Sequence, residues 1–235
     1  MTPAHGALAS AMIRLAATPE RSSDLRDRLR TIAKLTAERV AAARYASITA
    51  LQGDEYITVA VSDDQIQSVD DAQYADDAGP CLEALAQGTP VGVPDIDTTV
   101  QWPGFHQEAP RMGLQASVSV PLFSGRGQAV AVLNVYSHDQ AAMAPLIAAI
   151  SSVHGHPARE TTDKDVSGLD DGGRELVAGY AEALSVRATI QLALDLIRAE
   201  NRCSPDDAYL RLCIQAGEAG TDLAGTATTL ISHGV

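Results

Sequence analysis

The chain has 235 residues, 46% of them hydrophobic, and a formal net charge of −13. That length supplies enough apolar residues for one large domain or two modest ones, and because no apolar run approaches about 18 residues we expect no membrane-spanning helix. An acidic surface repels nucleic-acid phosphates at long range, so any nucleic-acid contact must depend on a local basic patch.

The cysteines and the N-terminal residues indicate the cellular compartment of the protein. Cys81, Cys203 and Cys213 cannot all pair, and they form no Cys-x-x-Cys motif. This pattern favours neither a disulfide framework nor a zinc ribbon. The first residues lack the positive segment and the long apolar stretch of a signal peptide. We therefore expect the chain to be cytoplasmic.

The chain begins with a predicted helix and a β-hairpin. Residues 24–43 carry apolar side chains at helical spacing, with Arg and Lys between them. The β-branched and aromatic runs 45–51 and 56–62 flank Gln52-Gly53-Asp54, which predicts two strands joined by a tight turn.

The following segment predicts further short elements and a second hairpin. A helix is expected to begin at Pro80 and to end at Gly88, since proline is common at the first position of a helix and glycine just past its end. The remaining predicted elements are a short strand at 90–96, a loop or short helix at 102–113, and strands at 117–124 and 128–137 joined by Gly125-Arg126-Gly127. This order favours an antiparallel sheet with helices on its faces, an α+β fold.

The rest of the chain is predicted to be helical. Residues 139–153 form an Ala-rich helix, and residues 154–168 form a polar loop or linker. A long helix is expected from Leu169 to about Glu200, with a break at Ser204-Pro205 and a second helix after it. The heptad positions of the long helix are Leu169, Leu176, Ala183, Ile190 and Ile197. This stripe fits either a dimeric coiled coil or packing on the chain's own core.

Residues 45–137 resemble a GAF domain, a six-stranded module that senses small molecules and other signals. The resemblance lies in AGPCLEALAQGTPVGVPDI (78–96), the Trp102-Pro103 pair and ASVSVPLFSGRGQAVAVLNVYS (116–137). Residues 169–184 are similar to the helix that closes such a domain. Because that helix normally follows the last strand quickly, residues 138–168 are interpreted as an insertion. The resemblance implies a ligand pocket between the sheet and the segments around Cys81 and Trp102.

The C-terminal stretch resembles an ANTAR domain, a three-helix module that binds RNA hairpins in transcription antitermination and often follows a GAF domain. The matching apolar and aromatic positions are Ile190, Ala193, Ala208, Tyr209 and Leu212 in the first two helices, and Leu223, Ala227 and Ile231 in the third. The resemblance implies two domains, residues 1–168 as the sensor and residues 169–235 as the long helix with an all-α three-helix unit.

Several positions of this unit depart from the ANTAR pattern. Leu192, Leu194 and Asp195 stand where the family commonly has Gln, Lys or Gln, and Gly, while Cys213 and Ala216 stand where it has Arg and Ser. An arginine can bind phosphate or a guanine edge with its fork of donors, whereas a cysteine cannot. An aspartate adds bulk and repulsion where glycine allows close approach. These substitutions weaken the RNA-contacting chemistry.

The candidate RNA site combines an aromatic ring with nearby arginines. Tyr209 is a candidate for stacking on a base beside Ala193, with Arg198, Arg202 and Arg211 as candidates for phosphate contacts. Ordinary packing between helices is the alternative role for Tyr209. Residues 169–235 contain ten acidic residues and five arginines and no lysine, a net charge of about −5. This charge does not favour RNA binding.

Other candidate sites carry weaker patterns. Cys81 lies at a predicted helix N-terminus, where a thiol pKa can fall and allow redox sensing, although a small buried thiol is the alternative. His154 and His156, with Asp163 and Asp165 nearby, predict a solvated loop rather than a metal site because no third ligand stands at a diagnostic spacing. His106 is a candidate for lining a sensory pocket or ligating a haem.

The sequence contains no GxSxG, HExxH, Walker or GxGxxG motif, and it lacks the Asn-Lys-Phe-Asp-Glu set of cyclic-nucleotide-binding GAF domains. We therefore expect no enzyme activity, no catalytic residue, no cofactor and no metal.

Two hypotheses about function follow. In the first, a homodimeric antitermination regulator couples an unknown ligand in its GAF domain to an RNA stem-loop on its ANTAR domain. In the second, the ANTAR-like unit has lost RNA binding and acts as a dimerisation or protein-interaction module.

Overall fold

The computed structural model describes residues 6–156 and 166–233. Its helices are α1 (Ala7–Ala16), α2 (Leu25–Arg39), α3 (Gln67–Ala75), α4 (Pro80–Gln87), α5 (Pro103–Glu108), α6 (Gln140–Gly155), α7 (Asp171–Asn201), α8 (Pro205–Ala219) and α9 (Leu223–His233). Its strands are β1 (Tyr45–Gln52), β2 (Glu55–Val61), β3 (Val91–Val93), β4 (Ala116–Ser124) and β5 (Gln128–Ser137). Short 3-10 segments span Asp64–Ile66 and Ala109–Met112. Within these two ranges, no helix is both long enough and apolar enough to cross a bilayer.

The elements predicted between residues 24 and 155 are present. Both hairpins are confirmed, and α4 begins at Pro80 and ends at Gly88, whose φ of 64° is left-handed. Helices α1 and α3 were not predicted. The sequence of α1, ALASAMIRLA, carries one charged residue, Arg14, and six of its ten residues are buried against α7, α2 and the sheet.

The strands form one antiparallel sheet in the order β2-β1-β5-β4-β3. The family resemblance implied six strands, whereas the described part of the chain forms five. Side chains alternate between the two faces of a strand, so the sheet buries two different sets of residues. One face is apolar and packs under α1, α2, α6 and the first half of α7. Its residues include Ala46, Ile48, Val118, Val120, Leu122, Ala131, Leu133 and Val135. This face forms the main hydrophobic core.

Helix α7 contributes to two separate cores along its 31 residues. In its first half, Leu176, Val177 and Tyr180 are fully buried in the core of the sheet domain. In its second half, Ile190 and Ala193 belong to a different cluster, shared with α8 and α9. We call residues 186–201 of α7, together with α8 and α9, the helical head.

The predicted break between the last helices is confirmed, and local chemistry explains it. The Ser204 Oγ accepts a hydrogen bond from the Asp207 amide at 3.1 Å, which caps the start of α8. Pro205 occupies the first helical position, and α8 ends at Gly220, whose φ of 63° is left-handed.

The heptad positions of α7 face the chain's own helices. Leu176 and Ile190 are fully buried, and Leu169, Ala183 and Ile197 are at most 6% exposed. Packing on the chain's own core therefore accounts for this stripe. A dimer along the same residues would require α1, α8 and α9 to leave α7.

Candidate functional site

The second face of the sheet is lined with polar side chains although it is buried. Its polar residues are Ser47, Thr49, Ser117, Ser119, Asn134 and Tyr136, all at most 1% exposed. Helices α3 and α4 cover this face. Buried polar groups cost free energy unless they are hydrogen-bonded, so such a face is a candidate site rather than ordinary packing.

A fully buried carboxylate lies at the centre of this polar face. Asp70, on α3, accepts a hydrogen bond from the Tyr136 hydroxyl at 2.7 Å and from the Thr58 hydroxyl at 3.1 Å. The Tyr74 hydroxyl continues the network, lying 2.8 Å from the Thr58 hydroxyl and 2.9 Å from that of Thr49. These contacts join β1, β2, β5 and α3 through side chains alone.

Burial sets the ionisation of the groups in this network. It raises the pKa of Asp70 to about 6, although the hydrogen bonds from Tyr136, Ser47 and Thr58 lower it in part. Burial and the nearby Asp70 charge also raise the pKa values of Tyr136 and Tyr74 above their ordinary value. The tyrosines therefore remain hydroxyl donors, whereas Asp70 can gain or lose a proton near neutral pH.

Asn134 organises the remainder of the polar face. Its side-chain amide donates to the Ser47 hydroxyl at 3.2 Å and to the Thr49 hydroxyl at 3.0 Å, and its carbonyl oxygen accepts from the Ser119 hydroxyl at 2.9 Å. The buried Ser117 hydroxyl has no hydrogen-bond partner in the structure. It is thus an unused donor and acceptor on this face.

These residues were not predicted from the sequence, although the alternation of side chains along two strands contains a signal of them. In YASITAL (45–51) and LNVYS (133–137), polar or tyrosine side chains alternate with apolar ones. That alternation is normally interpreted as a solvent-facing side of a strand. Here the polar side faces α3 and α4 instead, which only the tertiary structure reveals.

Cys81 is the second residue of α4, and its thiol is fully buried. Its backbone N–H donates to the Gln73 Oε1 at 3.1 Å, and the Gln73 amide lies 3.4 Å from the Tyr136 hydroxyl. Burial raises the pKa of Cys81, the opposite of the lowering that a helix N-terminus alone would give. Of the two roles considered for Cys81, the geometry favours the buried structural thiol over the redox sensor.

The predicted pocket segment around Trp102 packs closely against its neighbours. The Trp102 indole N–H donates to the Glu83 Oε1 at 2.8 Å, and its ring meets Phe105 edge to face. The His106 Nδ1 lies 3.1 Å from the Ile96 carbonyl oxygen, so a backbone group already engages this ring nitrogen.

The histidines of the predicted 154–168 loop have different surroundings. His154 belongs to α6, and its Nδ1 lies 2.8 Å from the Tyr180 hydroxyl. Burial and the Arg187 charge lower the pKa of His154. His156 is exposed just after α6, while Asp163 and Asp165 lie outside the described residues. Within residues 6–156 and 166–233, no three His, Cys, Asp or Glu side chains are grouped so that they could hold a metal ion.

The structure places Tyr209 between the helical head and the sheet domain. The ring is 9% exposed, and the Glu20 N–H donates to its hydroxyl at 3.1 Å. The Arg126 guanidinium lies over the ring, 4.6 Å from its centroid, and burial raises the pKa of Tyr209 to about 12. Ala193 is fully buried within the head. Neither residue is presented to solvent in this arrangement.

The predicted phosphate-contacting arginines are exposed but dispersed. Arg198 pairs with Asp195 at 3.3 Å on the same helix, and Arg202, with a left-handed φ of 49°, follows the end of α7. Arg211 is exposed on α8. It is two positions from Tyr209, so the two side chains leave the helix on nearly opposite sides.

The residues that depart from the ANTAR pattern have distinct surroundings. Asp195 is exposed and paired with Arg198, Cys213 is half-buried with its pKa raised by burial, and Ala216 is buried. Of these three side chains, that of Asp195 is the most exposed.

Comparison with known proteins identifies the fold of the sheet domain. The family model described as "GAF domain" matches residues 22–148. No curated protein matches the chain significantly.

Solved structures with similar folds cover much of the chain. A type II free methionine-R-sulfoxide reductase from Thermoplasma acidophilum is 14% identical, with a TM-score of 0.39, over 61% of this chain and 89% of the reductase chain. The free methionine-R-sulfoxide reductase from Neisseria meningitidis is 16% identical, with a TM-score of 0.38, over 76% and 89%. The phycoerythrobilin-bound GAF domain of a cyanobacterial phytochrome is 15% identical, with a TM-score of 0.38, over 77% and 98%.

These findings correct the expectation that the chain has no enzyme activity. Two of the similar structures are reductases, and the comparisons therefore give that exclusion no support. At such low identity the similarity shows the fold alone and assigns no activity to this chain. With more than half of its residues matched by the family model, the chain belongs to the GAF domain family.

Proposed function

We propose that this chain is a signal-responsive regulator of transcription antitermination. In this proposal the GAF domain senses a small molecule through its polar face, and the helical head binds an RNA stem-loop. The observation that supports this proposal most directly is that the head has a hydrophobic cluster of its own and also contacts the sensor at Tyr209. An output unit under the control of a sensor requires both features.

Two further observations support parts of this proposal. The buried network around Asp70 gives the sensor a polar face with an unused hydroxyl at Ser117. On the head, Arg202 and Arg211 are exposed and available to phosphate. The division into a sensor (residues 1–168) and an output unit (169–235) is part of the proposal, as is a cytoplasmic location.

A filter-binding titration of the full chain against RNA stem-loops with paired hexaloops, at low salt, tests RNA binding. We expect Tyr209→Ala and Arg211→Ala to weaken binding, because they remove a stacking ring and a phosphate contact. Arg111→Ala is the matched control, since Arg111 is an exposed arginine on the sensor that pairs with Glu108 at 3.0 Å. Failure of the wild-type chain to bind at tens of micromolar protein would overturn the RNA proposal.

A second candidate function is protein interaction or dimerisation by the helical head. Its supporting observation is that Leu192, Leu210 and Ile214 are each at least 50% exposed. Exposed large apolar side chains grouped in one unit are typical of interaction surfaces. The net charge of about −5 over residues 169–235 also favours a protein partner over RNA.

Light scattering of the full chain tests self-association through these residues. A dimer that dissociates in a Leu210→Ser, Ile214→Ser double variant, but persists in a Leu51→Ser control, would support the second candidate. Leu51 is a suitable control because it is 51% exposed on the sensor. A monomer at all accessible concentrations would contradict dimerisation through the head.

A further inference from the structure

The turn between β4 and β5 holds the helical head against the sensor. We call Gly125, Arg126 and Gly127 the docking turn. We propose that the docking turn is an autoinhibitory contact, which covers Tyr209 in the docked state and releases it when the β4–β5 hairpin moves. The proposal rests on the proposed function, because it takes the head to be the output unit.

Arg126 is the centre of this contact and reaches both sides of it. Its guanidinium lies over the Tyr209 ring and forms an ion pair with Asp206 on α8. Its backbone N–H donates to the Glu20 Oε1 at 3.1 Å, and its Nε lies 3.7 Å from the Glu20 Oε2. One residue of the turn therefore links the loop before α2 to the start of α8.

A second group of contacts extends the interface to α7 and α9. The Gln191 side-chain amide donates to the Arg126 carbonyl oxygen, and the Arg187 guanidinium lies 4.2 Å from the centre of the Phe123 ring. At the other side of the head, the Leu223 N–H donates to the Ala17 carbonyl oxygen at 3.3 Å. These contacts are polar or cationic and lie at the margin of the head.

The docking turn fits the head only because it contains glycine. A Cβ at Gly125 would lie 2.5 Å from the Tyr209 hydroxyl and 2.9 Å from the Glu20 Cγ. A Cβ at Gly127 would lie 2.8 Å from the Gln191 Nε2. Both glycines have a positive φ, 55° and 80°, which other residues adopt with difficulty.

The hairpin that carries the docking turn also carries part of the polar face. Ser117 and Ser119 lie on β4, and Asn134 and Tyr136 lie on β5. A ligand that engages these side chains would act on the same two strands that present Arg126 to the head. The hairpin is therefore the physical element through which the sensor face and the Tyr209 contact are coupled.

Docking and RNA binding by Tyr209 are mutually exclusive in this arrangement. The ring is covered by Arg126 on its face, and its hydroxyl is engaged by the Glu20 amide. A base cannot stack on the ring until the docking turn withdraws. Opening the turn is therefore expected to raise RNA affinity, and RNA is expected to favour the open state.

The test uses hydrogen exchange of the full chain with a matched pair of glycine variants. Gly125→Ala forces a Cβ into Tyr209, whereas Gly53→Ala adds one in the β1–β2 turn, where φ is 65° and no atom lies within 4 Å. Both variants carry similar backbone strain, but only the first touches the head. We expect Gly125→Ala to raise exchange about tenfold in α8 and residues 17–22, and Gly53→Ala to raise it only around its own turn.

A second pair of variants tests the same contact without changing a glycine, so that the test stands even if Gly125→Ala does not fold. Arg126→Glu places a carboxylate beside Glu20 and Asp206, and Arg111→Glu is the control on an exposed surface. Faster exchange of α8 in Arg126→Glu, with unchanged exchange in β1 and β5, supports the docking contact on which autoinhibition depends. Unchanged exchange of α8 in both Gly125→Ala and Arg126→Glu overturns it.

RNA titration of the same variants separates this inference from the proposed function. Release of α8 together with an RNA affinity at least about tenfold above wild type supports both. Release of α8 without any RNA binding keeps the docking contact as a switch and overturns the RNA function. RNA affinity that is high in wild type and unchanged on release overturns autoinhibition while the RNA function stands.

Discussion

At the residue scale, Asp70 is an ionisable side chain that is fully buried inside the sensor. An ionised carboxylate without a cation partner is costly to bury, and the hydroxyls of Tyr136 and Thr58 offset only part of that cost. The result is a pKa of about 6 instead of the ordinary 3.8. Since the folded pKa lies above the unfolded one, the folded state binds the proton more tightly, and stability is gained as pH falls through this window.

We therefore predict a pH-dependent stability that Asp70→Asn removes. The Asp70 contribution to the free energy of unfolding is expected to fall by about 1 kcal/mol between pH 5 and pH 7.5. Urea unfolding of wild type and Asp70→Asn at several pH values measures it as the difference between the two curves. Asp54→Asn, at an exposed position of the β1–β2 turn, serves as the control. Parallel curves for wild type and Asp70→Asn would refute the prediction.

At the element scale, α7 is one continuous helix that two cores share. Its first half approaches α1 closely because Gly179 has no side chain, and a Cβ there would lie 2.7 Å from the Ala9 Cα. Its second half packs with α8 and α9. The continuous helix joins the head to the sensor, while the docking turn holds α8 against the sensor at the margin.

Two helical glycines should respond in opposite ways to alanine. Gly179→Ala is expected to destabilise the fold by about 1–3 kcal/mol, because the added methyl group meets backbone that cannot yield easily. Gly217→Ala, on the exposed side of α8 with no atom within 4 Å of a Cβ, should stabilise it by up to about 1 kcal/mol. Urea denaturation followed by circular dichroism measures both. A stabilising shift for Gly179→Ala would show that α1 and α7 do not pack this closely.

At the scale of the whole molecule, charge limits how the chain can bind RNA. The net charge is −13, and the candidate phosphate contacts on the head are Arg198, Arg202 and Arg211. Only these side chains would displace counterions from the RNA, while the acidic surface opposes approach at long range. Binding by this chain should therefore be weakly salt-dependent compared with that of a basic protein.

We predict a slope of about −2 for the logarithm of the RNA association constant against the logarithm of salt concentration, since each phosphate contact to a single strand contributes about −0.7. Arg211→Ala should make that slope shallower by about 0.7. Filter-binding titrations over a salt series measure both values. A slope that Arg211→Ala leaves unaltered would remove Arg211 from the site.

The sequence by itself determined most of the elements and indicated the family. The helix starts at Pro80 and Pro205 and the helix end at Gly88 could be predicted because they depend on neighbours within a few residues. The strand alternation of the two hairpins could be predicted for the same reason. The resemblance of residues 45–137 to a GAF domain was confirmed by the family match.

Only the tertiary structure decided which side chains meet. Tyr136 reaches Asp70 across 66 residues of sequence, and Glu20 reaches Tyr209 across 189. It also decided that the heptad stripe of α7 is covered within the chain and that the polar sides of β1, β4 and β5 face inward. Periodicity shows that a side of an element will be buried, but not what will cover it, because the covering residues come from distant parts of the chain.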